Sequence, residues 1–249
     1  PVAGAKWING VTLTGGSVFG LDSSGGVIRY LEEQGIGIQM GRIRIPLVPS
    51  AVIFDLGFIN HRVRPGFDDG YAAAKSASVE FKTGSVGAGT GATAAKLLGQ
   101  MFSIKGGIGT ASVEVSNGAT VGALMVVNAI GDVVNPDTGE TVAGPLTENG
   151  FDNSVELMIK TPSKDTGFFR NTTVGIVATD AKLDKVGATR LAMAGQDGIA
   201  LAIRPAHTAN DGDTIFGLST GTHTEHTSGD TLHAAALKVV PEAIMNAID

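Results

Sequence analysis

The apolar and polar positions of this chain follow two different patterns, which separate predicted strands from predicted helices. Alternating or short β-rich apolar runs are typical of strands, and they occur at residues 11–14, 49–56, 110–115, 119–128, 173–178 and 213–219. Helical spacing or alanine-rich composition is found at residues 26–34, 71–76, 184–202 and 231–248. Residues 132–166 follow neither pattern and are expected to be mostly loop.

The order of these segments indicates a layered α+β fold. Asn117-Gly118 lies between two predicted strands, and Asn-Gly in that setting is a strong signal for a hairpin. Gly35 directly follows the first predicted helix, where a glycine commonly ends helical structure. Strands and helices do not alternate as regular βαβ units, which disfavours a doubly wound parallel sheet.

Composition narrows the classes of function. Hydrophobic residues make up 43% of the 249 residues, which supports a substantial core, and the net charge of −6 disfavours a nucleic-acid partner. The chain has no cysteine, so disulfides, zinc–thiolate sites and a thiol nucleophile are excluded. No apolar stretch has the length of a membrane span and no signal peptide is visible, so we expect a cytoplasmic protein without a membrane partner.

Five segments together resemble one protein family: residues 13–22, 87–96, 126–132, 170–178 and 204–213. They are similar to the L-aminopeptidase/D-esterase family, which includes β-peptidyl aminopeptidases and nylon-oligomer hydrolases. The pattern of site residues is similar to the nylon-oligomer branch. The resemblance implies a four-layer αββα sandwich, a single catalytic domain over 1–249, no cofactor, no metal and a homo-oligomer, with tetramers common. Members carry several dozen residues before the first segment, where this sequence has about ten and begins at Pro1.

The resemblance also implies self-cleavage. Family members are made as inactive precursors that cut themselves before a Ser or Thr, which then serves as the N-terminal nucleophile. The sequence Asn171-Thr172-Thr173 matches the cut site of the Thr-using members. We therefore expect Thr172 to be the nucleophile, and the chain to be cut into fragments 1–171 and 172–249.

Four further residues are assigned roles by the same resemblance. Asn128 matches the oxyanion-hole asparagine, and Lys96 matches the active-site lysine of the nylon-oligomer branch. Lys105, before two glycines, remains a competing candidate for that lysine. Asp211 and Asp213 match the two carboxylates of the branch, and on an extended segment their side chains would share a face.

These assignments agree with elementary chemistry. A Thr hydroxyl is a weak nucleophile until a base removes its proton. A free α-amine has a pKa of about 7.7–8.0, so chain cleavage would create a base on the same residue as the Thr172 hydroxyl. The amide N–H of Asn128 would stabilise the developing oxyanion, and the two carboxylates would orient the new ammonium.

Simpler interpretations compete with each motif. Asn171 begins an Asn-x-Thr glycosylation sequon, and residues 87–92 with Glu114 satisfy a loose dinucleotide fingerprint. His223 and His226 suggest zinc, although their spacing does not match the helical His-Glu-x-x-His motif.

The remaining polar candidates have similar alternatives. His207 is expected to have a structural role. Asp211 and Asp213 could bind calcium, but the sequence lacks further acidic ligands at loop spacing, which disfavours a calcium site.

Three functions remain open at this point. The first is hydrolysis of an amide bond in a short peptide, β-peptide or ω-amino-acid oligomer. The second is acyl transfer from the same Thr172 nucleophile to an amine. The third is a non-catalytic nucleotide-binding or structural protein, in which the chain would stay intact.

Overall fold

The computed structural model describes residues 4–58, 60–160 and 171–248. Its helices are α1 (Ser23–Glu33), α2 (Phe67–Lys75), α3 (Ser154–Lys160), α4 (Lys185–Ala202) and α5 (Gly229–Met245). Its strands are β1 (Thr12–Thr14), β2 (Ile38–Met40), β3 (Ile43–Ile45), β4 (Ser50–Val52), β5 (Thr93–Ala94), β6 (Ile104–Lys105), β7 (Ile108–Glu114), β8 (Thr120–Asn128), β9 (Asp132–Val134), β10 (Thr141–Ala143), β11 (Leu146–Thr147), β12 (Gly150–Phe151), β13 (Thr172–Thr179), β14 (Ile203–Arg204) and β15 (Thr214–Ser219).

A four-stranded sheet with the order β15-β13-β8-β7 organises the molecule. β13 runs antiparallel to β8 and parallel to β15, so it is paired along both edges. β7 and β8 form the hairpin that the sequence predicted, and Gly118 in its turn has φ +83°. Asn117 is not in the left-handed region, so only the glycine uses the conformational freedom that Asn-Gly offers.

Helices α4 and α5 cover one face of this sheet. Both helices begin at a side-chain cap: Asp184 accepts from the Gly187 N–H, and Ser228 accepts from the Thr231 N–H. Their apolar faces join the strands in the main core, whose fully buried members include Val177.

The opposite face of the sheet packs against a second, smaller layer of strands. β1 and β4 pair in parallel there, and Ala51 and Ile53 contact Val126 and Val174 of the large sheet. Helices α1 and α2 pack against each other, and α1 also contacts β1 and β4 of this second layer. The layers therefore follow the order helix, sheet, sheet, helix, as expected.

Three sequence-based predictions of local structure need correction. Residues 132–166 contain four short strands and helix α3 within the described part, because strands of two or three residues are too short to show a period. The predicted strand 49–56 is paired only from Ser50 to Val52. Helix α2 begins at Phe67 rather than at residue 71, because Asp69 accepts from the Gly66 N–H and caps an additional turn.

Among the described residues, no helix combines the length and apolar character that a membrane-spanning segment needs.

Candidate active site

Thr172 occupies the first position of β13, at the centre of the large sheet. It pairs across the sheet with Asn128, the last residue of β8. Only 7% of Thr172 is exposed, and its Oγ1 donates to the carbonyl oxygen of Asn171 at 2.5 Å. The hydroxyl therefore lies against the peptide bond at which the sequence predicts cleavage.

Asn171 is held in place just ahead of β13. It forms an isolated parallel bridge with Asp211, and the Gly212 N–H donates to its carbonyl oxygen at 3.1 Å. Asn171 is 5% exposed, so its side chain is not presented as a surface acceptor for glycosylation. The bond between Asn171 and Thr172 is thus fixed from two sides, by β8 and by the segment that precedes β15.

The side chain of Asn128 is oriented by three hydrogen bonds. Its Oδ1 accepts from the Thr93 N–H at 3.2 Å and from Lys96 Nζ at 2.8 Å, and its Nδ2 donates to the Phe54 carbonyl oxygen at 3.0 Å. Asn128 is 1% exposed. The structure therefore places it beside Thr172 with a defined amide orientation.

Lys96 lies in the same cluster, just after β5. Its Nζ donates to the backbone oxygen of Asn128 at 2.9 Å as well as to the side chain. Burial lowers the pKa of Lys96 from 10.5 to about 7, and the charges of Asp211 and Asp55 partly oppose that shift. A substantial fraction of Lys96 is therefore neutral near pH 7 and able to accept a proton.

The residue before Lys96 adopts an unusual backbone conformation. Ala95 is fully buried with φ +55°, a region that costs a non-glycine residue on the order of 1–3 kcal/mol. Its N–H donates to the Gly131 carbonyl oxygen at 3.2 Å. This turn directs the chain so that Lys96 reaches Asn128.

Lys105 occupies a different environment. Its Nζ donates to the carbonyl oxygens of Gly89 at 2.7 Å and Ala92 at 2.9 Å, and also to that of Gly106. It therefore binds the backbone of the glycine-rich loop, whereas Lys96 contacts the residue paired with Thr172. Of the two candidate lysines, the structure brings Lys96 to the site.

Asp211 and Asp213 have separate partners. Asp213 accepts from the Thr173 N–H at 2.6 Å, and its Oδ2 lies 2.9 Å from Nδ1 of His207. Asp211 accepts from the Thr208 N–H at 2.8 Å, and burial raises its pKa while the charge of Lys96 opposes that rise. Asp213 thus holds the backbone beside Thr172, and the charge of Asp211 acts on Lys96.

A cavity of about 750 Å³ opens beside this cluster. Its wall includes Asn171 and Lys96 together with Phe54, Asp55, Leu56, Phe58, His61, Leu97, Gln100, Ile130 and Asn210. Apolar side chains share this wall with polar groups, which include the Lys96 amine and the Asp55 carboxylate. Such a lining can contact both apolar and polar parts of a bound molecule.

Sequence reasoning missed Asp55. Its Oδ1 accepts from the Gly16 N–H at 2.7 Å, and a Cβ placed on Gly15 or Gly91 would lie 2.4–2.5 Å from its Oδ2. Both glycines therefore leave the space that this carboxylate occupies. In the sequence, Asp55 was only the polar end of a predicted strand, and glycines from two distant segments were the sole signal.

The competing motifs have structural settings of their own. The 3₁₀ turn at Gly87–Gly89 leads into β5 and not into a helix, unlike a dinucleotide-binding loop. His226 accepts from Asn117 through its backbone oxygen, and the N–H of His223 donates to the Asp180 carbonyl oxygen. In the described part of the chain, no three His, Asp or Glu side chains cluster as metal ligands.

Comparison with known proteins gives consistent results. The model of peptidase family S58 matches residues 5–249. An uncharacterized aminopeptidase of Mycobacterium leprae is 42% identical, with 89% of this chain and 62% of the relative covered. A 6-aminohexanoate-oligomer endohydrolase of Paenarthrobacter ureafaciens is 28% identical, with 87% and 62% covered. The chain thus spans less than two thirds of the length of these relatives.

One solved structure identifies the fold. The L-aminopeptidase D-Ala-esterase/amidase of Ochrobactrum anthropi, described as a variant of the Ntn hydrolase fold, superposes with a TM-score of 0.61. The match covers 91% of this chain and 61% of that protein at 22% identity. This likeness confirms the predicted α+β fold of the N-terminal-nucleophile-hydrolase type.

Proposed function

Since the chain belongs to peptidase family S58, we propose that it is a self-cleaving amide hydrolase with Thr172 as its nucleophile. The observation that carries this proposal is the position of the Thr172 hydroxyl, buried and 2.5 Å from the carbonyl oxygen of Asn171. A hydroxyl in this position can attack the Asn171 carbonyl carbon once a base has removed its proton and it no longer donates to the carbonyl oxygen. Lys96 supports the proposal, because a buried amine with a pKa of about 7 is a competent base.

The proposed self-cleavage has two steps, an acyl transfer and a hydrolysis. Thr172 Oγ1 forms a bond to the carbonyl carbon of Asn171, and the hydroxyl proton passes by way of Lys96 to the departing Thr172 nitrogen as the carbon–nitrogen bond breaks. This step yields an ester and a free α-amine. One water molecule then hydrolyses the ester and leaves a carboxylate on Asn171 and a free hydroxyl on Thr172.

The mature site repeats this chemistry on an added amide. The new α-amine of Thr172, with Lys96 beside Asn128, assists removal of the hydroxyl proton. The acyl group of the substrate is transferred to Oγ1 with release of an amine, and water then releases the acid. Asp213 keeps the strand in position throughout, because it accepts from the Thr173 N–H.

The cavity indicates the class of substrate. Its apolar wall fits an alkyl chain, and Asp55 provides a carboxylate for a free ammonium end. We therefore propose short oligomers of amino acids, including β- or ω-amino acids, as substrates. The Paenarthrobacter relative is named as a hydrolase of 6-aminohexanoate oligomers, which supports an amide of this kind.

Intact-mass measurement over time tests the proposal. Freshly made protein should convert into fragments of 171 and 78 residues, and hydrolysis of an amino-acid amide should appear in step with conversion. Thr172→Val should stay intact and inactive, because it lacks the hydroxyl. Thr173→Val is the matched control: the Thr173 hydroxyl is buried without a hydrogen-bond partner, so its loss should leave cleavage unchanged. Cleavage of Thr172→Val, or an active protein that stays intact, would show that the nucleophile lies elsewhere.

A further inference from the structure

The carbonyl oxygen of Asn171 already has a backbone donor in the uncut chain. The N–H of Gly212 points to it at 3.1 Å, in the parallel bridge between Asn171 and Asp211. When Thr172 Oγ1 attacks, negative charge develops on this oxygen. Fixed N–H donors aimed at such an oxygen are a large source of rate acceleration in acyl transfer.

Gly212 is also the residue that passes beside the nucleophile. A Cβ placed on Gly212 would lie 3.2 Å from Thr172 Oγ1 and 3.5 Å from its Cγ2. Its backbone does not lie in the left-handed region, so the conformation alone does not require a glycine. The close approach to Thr172 favours a glycine, because a side chain here would press on the hydroxyl.

The side-chain amide of Asn128 makes its hydrogen bonds to other groups. Its Nδ2 donates to the Phe54 carbonyl oxygen, and its Oδ1 is engaged by the Thr93 N–H and by Lys96. The side chain that the family resemblance assigns to the oxyanion hole therefore holds the wall of the cavity in the uncut chain. Among the described residues, the Asn171 carbonyl oxygen accepts from the Gly212 amide and from the Thr172 hydroxyl, and of these two the amide remains a donor when the hydroxyl attacks.

We propose that the Gly212 N–H is the oxyanion donor of the self-cleavage step, and that Asn128 serves the carbonyl of an added substrate. This inference rests on the proposed role of Thr172. As Oγ1 bonds to the carbonyl carbon, the electron pair of the carbonyl moves onto the oxygen that Gly212 holds. That pair returns when the bond to the Thr172 nitrogen breaks and the nitrogen takes the proton lost by the hydroxyl.

Replacing the amide of Gly212 by an ester tests the proposal directly. Cell-free translation with glycolic acid at position 212 removes the N–H and adds no side chain. Cleavage of the chain, followed by intact mass, should slow by about 10²–10³-fold, the usual effect of losing one oxyanion donor. Turnover per cut chain, measured after cleavage is complete, should fall by a smaller factor than the rate of cleavage. Glycolic acid at exposed Gly229, the first residue of α5, is the matched control and should cut normally.

A second variant tests the close approach. Gly212→Ala keeps the N–H but adds a methyl group against the Thr172 hydroxyl, so cleavage should again slow. Thr172→Ser in the same chain lacks the Cγ2 atom, so its hydroxyl can rotate away from the added methyl group and part of the rate should return. Gly212 is exposed, so both variants are expected to fold, and circular dichroism checks this.

Each other outcome overturns a defined part of the reasoning. If the wild-type chain cuts and the ester variant cuts equally fast, Gly212 is not the donor and the proposed role of Thr172 stands. If Gly212→Ala cuts at the wild-type rate, the close approach to the nucleophile is not needed. Equal losses of cleavage and turnover would show that one donor serves both reactions. A wild-type chain that never cuts would overturn the roles of both residues.

Discussion

Replacement of Lys96 by methionine should change how the stability of the protein depends on pH. Lys96 is buried, and its pKa falls from 10.5 to about 7 because the folded protein disfavours the ammonium. Methionine keeps a similar length without the charge. The comparison is best made in a Thr172→Ala background, where the chain stays whole and unfolding involves one polypeptide.

The sign and size of the effect follow from proton linkage. Below about pH 7 both the folded and unfolded chains carry the ammonium, so the folded state bears its full cost. Between about 7 and 10.5 the unfolded chain binds more protons, so the stability of the lysine protein rises with pH. A tenfold change in proton affinity is worth 1.36 kcal/mol, so the whole difference is about 5 kcal/mol. Roughly 2 kcal/mol of it falls between pH 7 and pH 9.

Urea unfolding at several pH values measures this difference. The advantage of Lys96→Met over the lysine protein should be greatest at pH 6 and should shrink steadily toward pH 9. Lys160→Met, which removes an exposed lysine of α3, controls for the loss of a surface charge. A Lys96→Met advantage that does not change with pH would refute the reasoning, because the ammonium would then carry no pH-dependent cost in the fold.

Three further predictions concern the groups around Lys96. The rate of chain cleavage should rise with pH through a midpoint near 7. Asp211→Asn should move that midpoint to lower pH, because the Asp211 charge raises the pKa of Lys96. An unchanged midpoint would show that the two groups are not coupled. Asp213→Asn should lower turnover by about tenfold or more with an unchanged circular dichroism spectrum, because hydrogen bonds to a charged group are worth about 1.5–3 kcal/mol. Near-normal turnover would show that residues 211–213 form a turn without a catalytic role. His207 has φ +56°, a conformation that asparagine tolerates, and asparagine also keeps a side-chain donor. His207→Asn should therefore retain more thermal stability and turnover than His207→Ala. Equal losses in the two variants would contradict a positioning role for His207.

The parts of the fold that could be predicted from sequence are those with long, regular patterns. The hairpin of β7 and β8, the strand β13 and the helix α4 each show their period over six residues or more. Helix α2 extends beyond its prediction because its start depends on a cap at Gly66 rather than on an apolar spacing. The short strands after β8 were missed for a physical reason: two or three residues gain their pairing from tertiary contacts and not from local preference.

The candidate site shows the same division. Thr172, Asn128 and Lys96 were assigned by resemblance, and the structure brings all three together. The sequence did not indicate a role for Asp55 or for Gly212. Their significance depends on what packs beside them, since Asp55 fits between glycines from distant segments and Gly212 acts through its backbone N–H. Neither property is visible in a residue type or a spacing.

The position of the proposed cut also explains how the molecule can survive it. Cleavage before Thr172 releases no strand from the sheet, because β13 begins at that residue and stays paired with β8 on one edge and β15 on the other. The same cut creates a new amine next to Asn128, which already binds Lys96. Two ammonium groups in one buried cluster would repel each other, and a lysine whose pKa is about 7 lessens that repulsion by giving up its proton. In the proposed mechanism, the low proton affinity of Lys96 would therefore serve twice: it would supply the base for cleavage, and it would accommodate the charge that cleavage creates.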